Sequence, residues 1–162
     1  MKVIVAIDDS PYSEELVETV KTRDWPIDTE FKVLSVLEPL DGLSDRFSDV
    51  IESANAKRKK SAEELCRSVR EQILGTIAGA TVHYEIRSGY PKNEIIEAAA
   101  DWSADRIIIG AHGHRGCPHN LLGSVSQAVA RHAPCSVEVV RQKSKSSKTR
   151  ETSTASAKSR RS

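Results

Sequence analysis

Short apolar runs alternate with longer segments of helical spacing through the first 141 residues. Residues 2–7, "KVIVAI", form a β-branched run with the length and composition of a buried strand. Two aspartates end it, and Ser10-Pro11 predicts a helix start. Serine suits the N-cap, proline suits the first helical position, and Glu14 and Glu15 fall where the helix dipole favours anions. A second strand is predicted at 31–37, "FKVLSVL", followed by a loop rich in Pro39, Asp41, Gly42 and Ser44. From about residue 49 to 74 there is neither proline nor glycine. That stretch reads as a long amphipathic helix with Ile51, Ala54, Ala62, Leu65, Val69 and Ile73 on its buried side, and "KRKK" (57–60) on its solvated face. Residues 81–87 alternate as a third strand, and 89–105 read as a turn and helix. "RIIIGAH" (106–112) is a fourth strand, a helix runs from about 123 to 131, and "SVEVVR" (136–141) closes the pattern.

Strand and helix alternate throughout. The predicted class is therefore α/β, a doubly wound parallel sheet with helices on both faces. One domain, residues 1–141, suits the 162-residue length. Residues 142–162 contain no apolar residue but alanine and cannot bury enough surface to offset their ordering entropy, so a disordered tail is expected there. The tail holds seven basic residues against Glu151, a net +6. With the chain at +1, residues 1–141 carry −5. A polyanion-binding arm and a solvated terminus are the two readings of the tail, and the second is the simpler.

No apolar run is long enough to span a bilayer, and the first one is too short for the core of a signal peptide. Cys66, Cys117 and Cys135 are odd in number and show no close pairing, which points to reduced thiols and a cytoplasmic chain.

The densest chemistry lies in "GAHGHRGCPHNLLGS" (110–124), with four glycines, three histidines and a cysteine. It begins at the carboxyl end of the fourth strand, where a doubly wound sheet places its ligands. Gly110 and Gly113 allow a sharp turn and a close backbone approach. Gly123-Ser124 opens the last helix, whose free N–H groups and positive dipole end favour phosphate oxygens. The hydroxyls of Ser124 and Ser126 add donors. No Lys-Ser/Thr follows the glycines, so this is not a Walker loop, and the dinucleotide GxGxxG is absent as well. Zinc would accept His112, His114, Cys117 and His119, but the chain offers no second ligand cluster. A Cys117–His119 catalytic pair lacks an orienting third group. No catalytic residue and no metal ligand is assigned.

The runs "VIVAIDDS", "VLSVLEP", "ADRIIIGAHG" and "LLGSVSQAVARHAPCSVEVVR" make residues 2 to about 141 resemble the universal stress protein family. The glycine spacing matches the nucleotide-binding branch of that family. The resemblance implies a five-stranded parallel sheet in order 3-2-1-4-5 with ATP, alone or with Mg2+, lying across strands one and four. Carried over by position, Asp8 lies by the ribose and phosphates, and Val36 meets adenine through its backbone. Gly110, Gly113, Gly123, Ser124 and Val125 hold ribose and phosphates. The resemblance further implies a homodimer through the last strand. The chain departs from the pattern in three places. The loop between Gly113 and Gly123 is histidine-rich, so protonation of His114 or His119 would tune phosphate affinity. Glu138 puts a charge on the last strand, where charge opposes pairing. The basic tail lies beyond the family domain.

Three functions follow from these readings. The first is an ATP-binding stress or signalling module with an unidentified protein partner. With only Asp8 and Ser124 placed for Mg2+ and no dedicated general base, it is at most a slow ATPase. The second is a nucleotide-free homodimeric interaction protein, against which the intact glycine spacing speaks. The third is an adenylyl-type transferase, for which no signature is present. No specific nucleic-acid motif and no membrane segment is found.

Overall fold

A computed structural model describes residues 1–40, 48–113 and 122–141. The elements follow in the order β1 (Lys2–Ile7), α1 (Tyr12–Lys21), β2 (Glu30–Leu37), α2 (Ser48–Thr76), β3 (Thr81–Ser88), α3 (Pro91–Asp101), β4 (Arg106–Gly110), α4 (Ser124–His132) and β5 (Ser136–Val140). All strand pairs are parallel, in the order β3-β2-β1-β4-β5. The sheet order changes direction between β1 and β4, and this is the switch point.

Alternation along β1 divides the core. Val3, Val5 and Ile7 join Leu16, Val17 and Val20 of α1 and Cys66, Val69 and Ile73 of α2 on one face. Ile4 and Ala6 join Ile95, Ala98 and Ala99 of α3 and Val129 of α4 on the other. Both faces of β1 are therefore apolar, as a central parallel strand requires. Trp25 closes the first cluster by meeting Phe31 edge-on, with ring centroids 5.1 Å apart.

Two details differ from the expectations. Ser10 is not an N-cap. Its hydroxyl donates to Asp8 Oδ1, and α1 starts at Tyr12 behind Pro11 with no side-chain cap. Ile51 and Ala54 are only half-buried, and full burial in α2 begins at Ala62. The reason is length. A helix of 29 residues runs about 43 Å at about 1.5 Å per residue. The eight-residue strands beneath it run about 26 Å at about 3.3 Å per residue. The amino-terminal half of α2 thus overhangs the carboxyl edge of the sheet.

Among the described residues no helix is long and apolar enough to cross a membrane. The tail, 142–162, lies outside the described residues.

Candidate functional site

Asp8 is the first residue past β1. Its Oδ1 accepts from the Ser10 N–H at 3.2 Å, from the Ser10 hydroxyl, and from the Ser13 hydroxyl at 3.0 Å. The single Ser13 hydroxyl proton is shared between Oδ1 and the Asp8 carbonyl, which is nearer at 2.6 Å, and Ser13 Oγ accepts from the Asp8 N–H at 3.1 Å. One carboxylate oxygen thus organises the β1–α1 turn. The other, Oδ2, faces Gly113, where a Cβ would sit only 2.7 Å from it. A side chain at 113 would therefore press on this carboxylate, whose Oδ1 serves the turn.

β2 outruns β1. The last β1–β2 pair is Ile7 with Ser35, while β2 continues beside β3 through Val36 and Leu37. The Leu37 carbonyl accepts from the Gly89 N–H on the β3 side at 3.0 Å. Alternation therefore turns the backbone groups of Val36 the other way, past the end of β1. Just beyond, the Glu38 carbonyl accepts from Arg58 Nη1 on α2 at 2.9 Å.

On the other side of the switch point, β4 ends at Gly110, two residues short of the expected strand end. The Ala111 N–H still reaches the Val140 carbonyl of β5 at 2.7 Å. The Ala111 carbonyl then accepts twice, from the Gly123 N–H at 2.8 Å and from Ser126 Oγ at 3.0 Å. Ser126 is 2 % exposed, and its hydroxyl also lies 3.0 Å from the Gly123 carbonyl. Its single proton is committed to backbone oxygens, so Ser126 clamps the base of the loop instead of presenting a donor to a ligand. A Cβ on Gly123 would meet the Ala111 carbonyl at 3.2 Å. Gly123 is the N-cap of α4 and among the described residues no side chain caps the helix, so the first-turn amides of Ser124 and Val125 can serve an incoming acceptor.

These pieces line one cavity of about 750 Å3 across the carboxyl ends of β1, β2 and β4. Asp8, Val36, Gly110, Gly113, Gly123, Ser124, Val125 and Ser126 all lie on its wall. Sequence reasoning missed several others. Tyr12 and His112 pair across the switch point with ring centroids 5.8 Å apart, and Pro91 and Ile95 add an apolar wall from α3. Lys57 and Arg58, expected on a solvated face, reach the cavity from the overhanging part of α2. The donor set suits an adenine nucleotide, with an extended strand edge and apolar wall at one end and an uncapped helix terminus beside glycines at the other.

His114, Cys117 and His119, the residues of the histidine-loop and zinc readings, lie outside the described residues. Among the described residues no group of three or more His, Cys, Asp or Glu is placed to hold a metal. The Glu138 carboxylate on the edge strand is engaged by both terminal nitrogens of Arg23 and lies 3.7 Å from Arg106, so its charge is paired within the chain.

The chain is 30% identical over 155 residues to universal stress protein MJ0531 of Methanocaldococcus jannaschii, covering 89% of this chain and 84% of that protein. It is 30% identical to universal stress protein A homolog 2 of Coxiella burnetii, covering 86% and 94%. Among solved structures, protein MJ0577 superposes with a TM-score of 0.78 at 25% identity, covering 88% of this chain and 96% of that one. UspA from Lactobacillus plantarum shares the fold with a TM-score of 0.74 at 23% identity, over 87% and 97%. The model of the universal stress protein family matches residues 1–141, and with that match over a sheet of order 3-2-1-4-5, this chain belongs to the universal stress protein family.

Proposed function

We propose that this protein binds ATP in the cavity at the β1–β4 switch point and acts as a nucleotide-dependent stress or signalling module. One observation carries the reading. The uncapped amino terminus of α4, the outward oxygen of Asp8 and the β2 edge that outruns β1 face a single cavity. Phosphates would lie against the Ser124 and Val125 amides, with the Ser124 hydroxyl as a further donor. Ribose would pass over Gly110 and Gly113 beside Asp8. Adenine would meet the Val36 backbone and the Ile95 wall. The nucleotide class is in keeping with related folds, since a family protein from Arabidopsis thaliana has been solved with AMP bound and one from Archaeoglobus fulgidus in complex with dAMP.

Hydrolysis in this reading is slow or absent. The carboxylate nearest the phosphate end, Asp8, already commits Oδ1 to three donors, which leaves Oδ2 and the Ser124 hydroxyl as the available Mg2+ ligands among the described residues. We place a homodimer contact on β5, an edge strand whose Val137 and Val139 are half-buried and whose one carboxylate is internally paired. The reading places the protein in the cytoplasm.

The test is mass spectrometry of small molecules released on denaturing freshly purified protein, followed by calorimetric titration with ATP. ATP, ADP or AMP in near-stoichiometric amount, or saturable ATP binding, is expected. A protein that releases no nucleotide and shows no heat with ATP is the nucleotide-free module instead.

A further inference from the structure

The basic run at 57–60 is the one charged cluster that the sequence pattern assigns to solvent and the fold brings to the site. Lys59 and Lys60 are exposed and do not line the cavity, whereas Lys57 and Arg58 do. Arg58 is half-buried, and its Nη1 donates to the Glu38 carbonyl at 2.9 Å and lies 3.4 Å from Asn55 Oδ1. Glu38 directly follows β2, two residues past Val36. The end of β2 has already lost β1 as a neighbour, because the last pair is Ile7 with Ser35. On the β3 side it stays paired through Val36 and Leu37, with the Leu37 carbonyl accepting from Gly89, and beyond the strand the Glu38 carbonyl accepts from Arg58. A strand end with a partner on one side only can twist or flip a peptide unit. A charge-assisted bond to its last carbonyl opposes that movement.

Resting on the nucleotide reading above, we infer that Arg58 is a positioning residue for the purine base. By holding the Val36–Glu38 segment extended, it keeps the Val36 carbonyl turned into the cavity as an acceptor. A fixed acceptor there receives a hydrogen bond from the 6-amino group of adenine and meets the 6-oxo group of guanine oxygen to oxygen. Discrimination between the bases then depends on the strand end staying in place, because leaving a buried acceptor unpaired is what costs the wrong ligand its affinity. Arg58 touches neither base in this account and acts through the backbone it ties.

Wild type, Arg58→Ala, Arg58→Lys and Lys60→Ala are titrated with ATP and with GTP, and each variant's thermal unfolding is recorded without nucleotide. Wild type favours ATP. Arg58→Ala lowers the ATP/GTP affinity ratio by about fivefold or more, the scale of one lost charge-assisted hydrogen bond. Arg58→Lys recovers most of the ratio, since an ammonium can still donate to the Glu38 carbonyl. Lys60→Ala, which removes the same charge away from the cavity, leaves the ratio unchanged. A wild-type ratio in Arg58→Ala, or equal losses for ATP and GTP, overturns the role of Arg58 while leaving the nucleotide site intact. If Arg58→Ala is unfolded, an Arg58→Lys ratio no better than that of an Arg58→Gln variant overturns it equally. Wild type that binds neither nucleotide overturns the nucleotide reading, and this inference with it.

Discussion

Glu138 on β5 and Arg23 after α1 meet fork to fork, each carboxylate oxygen on its own guanidinium nitrogen. The pair joins the carboxyl end of α1 to the edge strand of the sheet. The Arg23 hydrogen bonds hold the Glu138 carboxyl below its ordinary range against the upward push of burial, with the charges of Arg23 and Arg106 adding to them. A depressed folded-state value means stability that is present above the unfolded carboxylate pKa of about 4.3 and lost as pH falls through the lower folded value. Both side chains are about a third exposed, so solvent screening limits the pair to about 1 kcal/mol. In denaturant titrations, wild type should exceed Glu138→Gln by about that amount at pH 7, and the gap should close as pH falls through the folded carboxyl value. A gap that does not narrow with acid would show that the ion pair is not its source.

The same pair sets an expectation for assembly. Glu138→Val leaves the Arg23 and Arg106 guanidinium groups beside β5 without their carboxylate. If β5 is the dimer edge, sedimentation should show Glu138→Val weakening the dimer, because like charges accumulate at the contact. A tighter dimer would mean that the carboxylate opposes pairing in spite of Arg23.

Gly113→Ala and Gly123→Val probe the phosphate end in different ways. The Cβ at 113 would displace Asp8 Oδ2, and the side chain at 123 would crowd the Ala111 carbonyl. Both should lower ATP affinity at least about tenfold, the first by displacing the Asp8 carboxylate and the second by shifting the backbone at the start of α4. Circular dichroism should remain that of the folded domain. Calorimetric affinities equal to wild type would take the glycines out of the cradle.

Asp8→Ala removes the acceptor of three donors at the β1–α1 turn. A loss of about 2 kcal/mol in stability is expected, because the donors lose a charged partner in a mostly buried setting. Asp8→Asn keeps an oxygen at the Oδ1 position, so urea unfolding should show a smaller loss. Its ATP affinity should still fall, since the second position no longer carries a carboxylate oxygen toward Gly113.

Cys66 lies on the core face of α2, and burial pushes its thiol up to about 11. Thiolate is the reactive form, so a disulfide reagent at pH 8 should leave Cys66 unmodified until the protein unfolds. Labelling located by peptide mass spectrometry decides this, and modification of Cys66 in native protein would show that α2 opens away from the sheet.

The alternation of apolar runs and helical spacing was enough to place all nine elements, because both faces of β1 are apolar and each helix has one buried stripe. The glycine spacing was visible in the sequence, and what a side chain would meet there was not: a Cβ on Gly123 would press on the Ala111 carbonyl and one on Gly113 on the Asp8 carboxylate. What stayed hidden depends on lengths and partners. That Arg58 reaches the cavity follows from α2 being longer than the strands it covers, a comparison no local pattern contains. That the charge of Glu138 is paired at the edge depends on Arg23, 115 residues away in the chain. Ser126 read as a phosphate donor because hydroxyls at a helix start commonly are, and the Ala111 carbonyl that takes its proton becomes visible only in the folded chain.

The double acceptance at Ala111 makes the eleven residues from 112 to 122 a chain segment pinned at both ends, by Gly123 and Ser126 on one side and by the Ala111 tie to β5 on the other. Length in such a segment is thermodynamically cheap, since doubling it adds only about 0.6 kcal/mol of closure entropy. The helix terminus that faces the cavity is held by the clamp at Ala111. A reporter peptide or a second recognition sequence spliced between His114 and Leu121 should therefore leave the sheet, α4 and their register undisturbed, which makes this family member a candidate frame for an inserted sensor.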